Sequence, residues 1–121
     1  MQARFLLLGG TTPTEWVNWL RQRLSAFGDS DYLPAQDLVR DEVGAYDIIF
    51  IDATEVGLLQ GRLAELRGWF PSTSIVVLTA SPTWKRARAA FEAGATDYLS
   101  KSMPEEHFYD VVETLLARRN G

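Results

Sequence analysis

Cysteine is absent from the 121 residues, and histidine occurs once, at His107. Disulfides, thiolate catalysis and cysteine-type zinc sites are thereby excluded, and a single imidazole cannot build a histidine-rich metal site. Long apolar runs are missing too. No stretch approaches the roughly 20 residues that cross a bilayer, and the N-terminus lacks the basic region, apolar run and small-residue cleavage site of a secretory signal. A cytoplasmic chain that does not span a membrane is the expectation. Positive charge is scarce: 12 Lys and Arg stand against 16 Asp and Glu, a net charge of −4. The broad attraction that a basic domain exerts on nucleic acid is lacking, so no direct nucleic-acid binding is expected. Internal repeats, low-complexity tracts and Pro/Gly-rich linkers are absent as well.

What is present is the balance of one globular domain over residues 1–121, with 46% hydrophobic and 23% charged residues. The end, Ala117-Arg118-Arg119-Asn120-Gly121, reads as a fraying terminus or as the point where a longer regulator continues. Five short apolar or β-rich runs stand out: Arg4 to Leu8, Asp31 to Ala35, Asp47 to Ile51, Ser74 to Thr79 and Thr96 to Ser100. The clearest, Phe5-Leu6-Leu7-Leu8, Ile48-Ile49-Phe50-Ile51 and Ile75-Val76-Val77-Leu78, are continuously apolar, which predicts strands covered on both faces and hence a parallel sheet.

Helical patterns lie between these runs. Thr12, Pro13 and Glu15 sit where an N-cap, a first-turn proline and a capping-box acid belong, and Trp16, Leu20 and Leu24 give the first helix a core face. Further helices are predicted near Gln36 to Val43, at Leu58 to Trp69 before Pro71, at Thr83 to Ala93 before Gly94, and at Pro104 to Arg118. Alternating strands and helices imply βαβ crossovers and a three-layer α/β/α sandwich; strand order does not follow from this alone.

In open parallel sheets, ligands gather beyond the carboxyl ends of the strands. Strand 1 ends in Gly9-Gly10, strand 3 in Asp52, strand 4 in Thr79, and strand 5 leads to Lys101. A carboxylate, a hydroxyl and an ammonium from three strand ends can converge on an anion such as a phosphoryl group. At this point a likeness becomes specific. The apolar run ending in Asp52, then Ser74-Ile-Val-Val-Leu-Thr79-Ala80, then Glu92-Ala-Gly-Ala-Thr-Asp-Tyr-Leu-Ser-Lys101, resembles the receiver domain of two-component response regulators in order and spacing, over nearly the whole chain.

That resemblance implies a flavodoxin-like fold with a five-stranded parallel sheet in order 2-1-3-4-5. It implies Asp52 as the position that accepts phosphate from a histidine kinase, Thr79 and Lys101 as the residues binding the phosphoryl group, and Tyr98 as the switch aromatic. It also implies that helix 4, strand 5 and helix 5 meet a signalling partner or a second copy.

The departures from the receiver pattern bear on chemistry. Receivers carry two adjacent acids after strand 1, where this chain has Gly9 and Gly10. Mg²⁺ is a hard cation held by carboxylate, phosphate and water oxygens. Only Asp52 and the carbonyl of Thr54 remain as protein ligands, so the metal site is degenerate and no cofactor is expected; Mg²⁺ enters only if Asp52 is phosphorylated by the usual route. Without that charge, transfer of a dianionic group to Asp52 loses its main electrostatic support. Glu55-Val56 stands where the family has Met-Pro, Ser102 where it has proline after the lysine, and Glu15 is an acid that can approach the pocket from the first helix.

Each residue also has a plainer role. Asp52 is either a pocket acid or a strand-end cap for the next helix. Lys101 either awaits a phosphoryl group or forms an ion pair with Asp52 that holds the pocket shut. Tyr98 is a switch or a packing residue at the sheet edge, and His107 is a surface residue. Trp84, Lys85, Arg86 and Arg88 form either a partner face or a solvated helix start with Trp84 as a lid. Gly9, Gly10, Thr11, Thr12 and Thr14 invite comparison with a phosphate-cradling loop, but no Walker lysine or dinucleotide glycine fingerprint accompanies them.

The function expected is therefore a receiver module acting through protein contacts, with phosphorylation at Asp52 impaired or absent. A working response regulator phosphorylated at Asp52 is the alternative, and a small flavin or nucleotide binder the second. Nothing in the sequence points to turnover of a small-molecule substrate, so enzymatic activity is not expected.

Overall fold

Continuous apolar runs arise here because each strand feeds two cores. In β1 (Ala3–Gly9), Phe5 and Leu7 enter one hydrophobic cluster while Leu6 and Leu8 enter the other. In β3 (Ile48–Asp52), Ile48 and Phe50 face the first cluster and Ile49 and Ile51 the second. In β4 (Ser74–Thr79), Val76 and Leu78 are divided from Ile75 and Val77 in the same way. Side chains alternate across a strand, so a sheet covered on both faces needs apolar residues at every position.

The computed structural model describes residues 2–38, 46–53 and 59–120, and the side chains of these except at 59, 60, 119 and 120. The remaining elements are α1 (Glu15–Leu24), β2 (Gly28–Pro34), α2 (Leu59–Trp69), α3 (Trp84–Glu92), β5 (Asp97–Ser100) and α4 (Glu105–Asn120). The five strands are all parallel and run in the order β2-β1-β3-β4-β5. Val17, Leu20 and Leu24 of α1 and Phe108, Val112 and Leu115 of α4 close the first cluster. Leu63 and Leu66 of α2 and Ala90 of α3 close the second. The three-layer receiver-type sandwich expected from the sequence is the fold observed.

Three boundaries differ from expectation, each for a local reason. The first helix is capped by Thr14 and not Thr12: the Thr14 hydroxyl accepts from the Val17 amide at 3.3 Å, leaving Glu15 as the first helical residue. This start puts Val17 in the core, while Trp16 lies half-buried beside it. The second strand begins at Gly28 and not Asp31, since its ladder with β1 runs from Ala3↔Gly28 to Gly9↔Pro34. A Cβ on Gly28 would lie 2.0 Å from the Ala3 carbonyl oxygen, so only glycine fits that approach. Where a helix was expected from Gln36 to Val43, the described part is a 3₁₀ turn at Ala35–Asp37 followed by extended backbone at Leu38 (ψ 122°); the rest of that span, 39–43, lies outside the described residues.

Arg67 ties the lower end of the sheet together. Its guanidinium donates to the carbonyls of Phe70, Pro71, Thr73 and Gly94 and to the Thr96 hydroxyl. Gly94, which ends α3 as the sequence predicts, has φ +117°, and a Cβ there would meet Arg67 Cβ and Cγ at 2.9 Å.

Candidate functional site

The carboxyl ends of β1, β3 and β5 carry the residues to inspect, and register sets them side by side. Leu8 pairs with Ile51, so Gly9 lies next to Asp52; Asp52 pairs with Leu78, and Thr79 with Ser100. Backbone hydrogen bonds fix the rim, from the Ala53 amide to the Leu78 carbonyl and from the Lys101 amide to the Thr79 carbonyl, each 2.8 Å. By alternation Gly9, Asp52 and Lys101 share the face of the first core, toward α1.

On that face Lys101 Nζ lies 2.7 Å from Asp52 Oδ1, with 14% of the lysine and 4% of the aspartate side chain exposed. At such burial this is a desolvated, charge-assisted contact, unlike a surface ion pair. Trp16 of α1 covers the ammonium, 4.9 Å from ring centre to Nζ, close enough for a cation–π attraction. The Trp16 ring stacks on Trp19, with centroids 6.0 Å apart, and Trp19 meets Phe108 edge-on at 5.7 Å. Arg23 lies over the Trp19 ring, 4.6 Å from its centre, and pairs with Glu105 of α4 at 3.3 Å. An aromatic column thus runs from the pocket lysine to the start of α4.

Thr79 is buried, and its hydroxyl accepts from the Ser81 amide at 3.1 Å. Tyr98 is half-buried on the opposite face, against the second core, and its buried hydroxyl has no hydrogen-bond partner among the described residues. Ser102 uses its amide: it donates to the Ser100 hydroxyl at 3.1 Å, and the two hydroxyls lie 2.8 Å apart. Glu15 lines an open groove of about 520 Å³ with Trp16, Trp19, Lys101, Ser102 and Met103, and makes no ion pair with Lys101 among the described residues. Thr54, Glu55 and Val56 lie outside the described residues.

The donors do not suit Mg²⁺. Gly9 and Gly10 bring no carboxylate beside Asp52, and the Asp52 oxygen turned toward β5 already holds an ammonium. Among the described residues no group of three or more Asp, Glu or His side chains is placed to hold a metal ion.

No protein-family model matches the sequence, and no curated protein matches it. Solved structures do match. A CheY-like response regulator receiver domain protein from Methanospirillum hungatei superimposes with a TM-score of 0.85 at 14% identity, over 99% of this chain and 98% of that one. The chain has the receiver fold. A two-component response regulator from Clostridium difficile gives 0.83 at 21% identity, over 99% of this chain and 100% of that one. The BeF3-activated receiver domain of DrrB gives 0.81 at 21% identity, over 97% and 99%.

Two residues at this site were not singled out from sequence. Trp16 was read as a core residue of α1, and its place above Lys101 follows from the helix starting at Thr14. Tyr32, the aromatic residue of β2, donates its hydroxyl to the Gly10 carbonyl. The signal for it was the glycine pair itself, since a β1 end without side chains leaves volume for a neighbour to fill.

Proposed function

We propose that this chain is a receiver-like signalling module that acts through protein–protein contact, with phosphorylation of Asp52 impaired or absent and with no catalytic turnover or resident cofactor. The observation that carries this reading is the composition of the pocket: Asp52 has the Lys101 ammonium at 2.7 Å as its counterion, beside two glycines that offer no acid. Phosphoryl transfer is driven chiefly by positioning and by positive charge on the moving group, and a lysine already engaged with the acceptor supplies less of it than a metal ion.

The contact surface proposed is α3, β5 and α4, the helices expected fourth and fifth from the sequence. Trp84 is 71% and Phe91 47% exposed, and both lie with Arg88 on one stripe of α3 at i, i+4, i+7. Lys85 and Arg86 flank this stripe. On α4 the exposed Glu106, Asp110 and Glu113 form an acidic stripe at the same spacing. The two charges suit pairing of α3 in one copy with α4 in another, or docking of a histidine kinase or other signalling protein. Among the described residues no helix is long and apolar enough to cross a membrane.

Intact mass after incubation with acetyl phosphate, with and without Mg²⁺, and repeated on Asp52→Asn, tests the proposal. No adduct under either condition is expected. An adduct requiring both Mg²⁺ and Asp52 would overturn it in favour of a working response regulator, the alternative that retained Asp52, Thr79 and Lys101 support.

A further inference from the structure

The glycine at the end of β1 is not simply an acid deleted. Gly9 points toward the first core, as Phe5 and Leu7 do. A Cβ built on Gly9 would stand 2.8 Å from the Tyr32 hydroxyl oxygen and 3.2 Å from its ring carbon Cε2. The ring is not a loose neighbour that can swing aside at no cost. Tyr32 rises from β2 opposite Leu7, packs half-buried against the first core, and is anchored through its hydroxyl to the Gly10 carbonyl. Moving it sacrifices both the packing and the hydrogen bond.

We propose that Tyr32 is a positioning residue that keeps this pocket free of metal: its ring occupies the volume a side chain at position 9 needs, and its hydroxyl holds the Gly10 carbonyl. The missing acids and the tyrosine are then one coupled change. Mg²⁺ demands near-octahedral oxygen ligands, and a neutral phenol bonded to a backbone carbonyl presents no anionic oxygen in their place. Restoring the acids alone does not restore the site, because a carboxylate at position 9 meets the ring before it reaches the side of Asp52. The inference rests on the pocket reading above, but its test is Mg²⁺ affinity in variants and not phosphorylation of the native chain.

Four proteins are compared by Mg²⁺ titration, read by calorimetry and by indole emission, to which Trp16 above Lys101 contributes: the native chain, Tyr32→Ser, Gly9→Asp/Gly10→Asp, and all three substitutions together. The triple variant is expected to bind Mg²⁺ about tenfold or more tightly than Gly9→Asp/Gly10→Asp, a coupling within the range for residues in contact. Equal affinity of those two variants overturns the inference, as does a folded triple variant that binds no better than the native chain. If the aspartate variants do not fold, the same coupling is read in thermal melts of Gly9→Ala. A drop in Tm in the Tyr32 background that disappears with Tyr32→Ser supports the role, and equal drops in both overturn it. A phosphoryl adduct on native Asp52 bears on the proposed function alone; the ratio of variant affinities still decides this inference.

Discussion

Replacing Lys101 by methionine removes the ammonium while keeping most of the side chain's length, and leaves Asp52 in a site where 4% of its side chain is exposed. Breaking one side of a buried pair costs about 3–5 kcal/mol, because the remaining charge loses its counterion while staying out of water. For a domain whose total stability is about 5–15 kcal/mol, that is about a fifth of the whole or more. With a urea slope near 2 kcal/mol per M, the unfolding midpoint falls by roughly 2 M. Asp52→Asn is expected to cost less, about 1–2 kcal/mol, since the amide keeps its shape and the longer lysine can turn its head toward water. The double variant Asp52→Asn/Lys101→Met leaves no buried charge and should be more stable than Lys101→Met alone, giving a coupling of about 2–3 kcal/mol in the cycle. Urea unfolding of the four proteins measures each term, and the loss should persist in salt that screens surface pairs. A Lys101→Met loss below about 1 kcal/mol with an additive cycle would refute the reading of this pair as a buried, desolvated contact.

Other perturbations reach the rest of the framework. Arg67→Lys keeps the charge but cannot serve five acceptors on two segments, 70–73 and 94–96, and a loss of about 2–4 kcal/mol is expected in urea unfolding; a neutral outcome would mean the clamp is dispensable. Gly94→Ala imposes φ +117° on an L side chain and drives its Cβ toward Arg67 at 2.9 Å, so a cost of about 2 kcal/mol or more is expected, and it should shrink when Arg67 is also shortened. Burial first, and then the hydroxyl bond to Asp31, raise the Tyr46 phenol above its ordinary value of 10.0. The unfolded phenol therefore ionises before the folded one, so this contribution is intact below that value and is lost as pH climbs through the folded one. Thermal melts should show Tyr46→Phe with a shallower alkaline decline than the native chain. Trp84→Ser with Phe91→Ser should alter stability by less than about 0.5 kcal/mol, both being exposed, yet abolish any dimer seen by light scattering; a dimer surviving both changes would move the contact surface elsewhere.

How much of this was legible varies with how much of the signal is local. Phe5 to Leu8, Ile48 to Ile51 and Ile75 to Leu78 announce two-sided burial outright, so three central strands and a parallel sheet were readable from hydropathy. β2 was read short because Gly28-Asp29-Ser30 carry no apolar signal; they are strand only through backbone pairing with β1. Three threonines before Glu15 each qualify as a cap, and only the geometry shows Thr14 bonding Val17. Asp52 and Lys101 were brought together by strand-end logic, and their ion pair was one of the two arrangements foreseen. Trp16 and Tyr32 were missed as pocket residues because their places depend on helix start and register, which are long-range results that no local pattern encodes.

The aromatic column links the Asp52–Lys101 pair to the start of α4. Trp16 touches Lys101, Trp19 stacks on Trp16, Phe108 closes the column from α4, and Arg23 bridges Trp19 to Glu105. Phe108 is fully buried and Trp16 and Trp19 are half-buried, so a shift of Lys101 cannot be absorbed as a free rotamer change: packed interiors respond by moving between discrete arrangements. A partner at the start of α4 and a change at Asp52 would act on the same stack from opposite ends, and by linkage any coupling between them would be reciprocal. On the reading proposed above, a partner at the start of α4 would reach the pocket through Trp19, the ring that touches both Trp16 and Phe108.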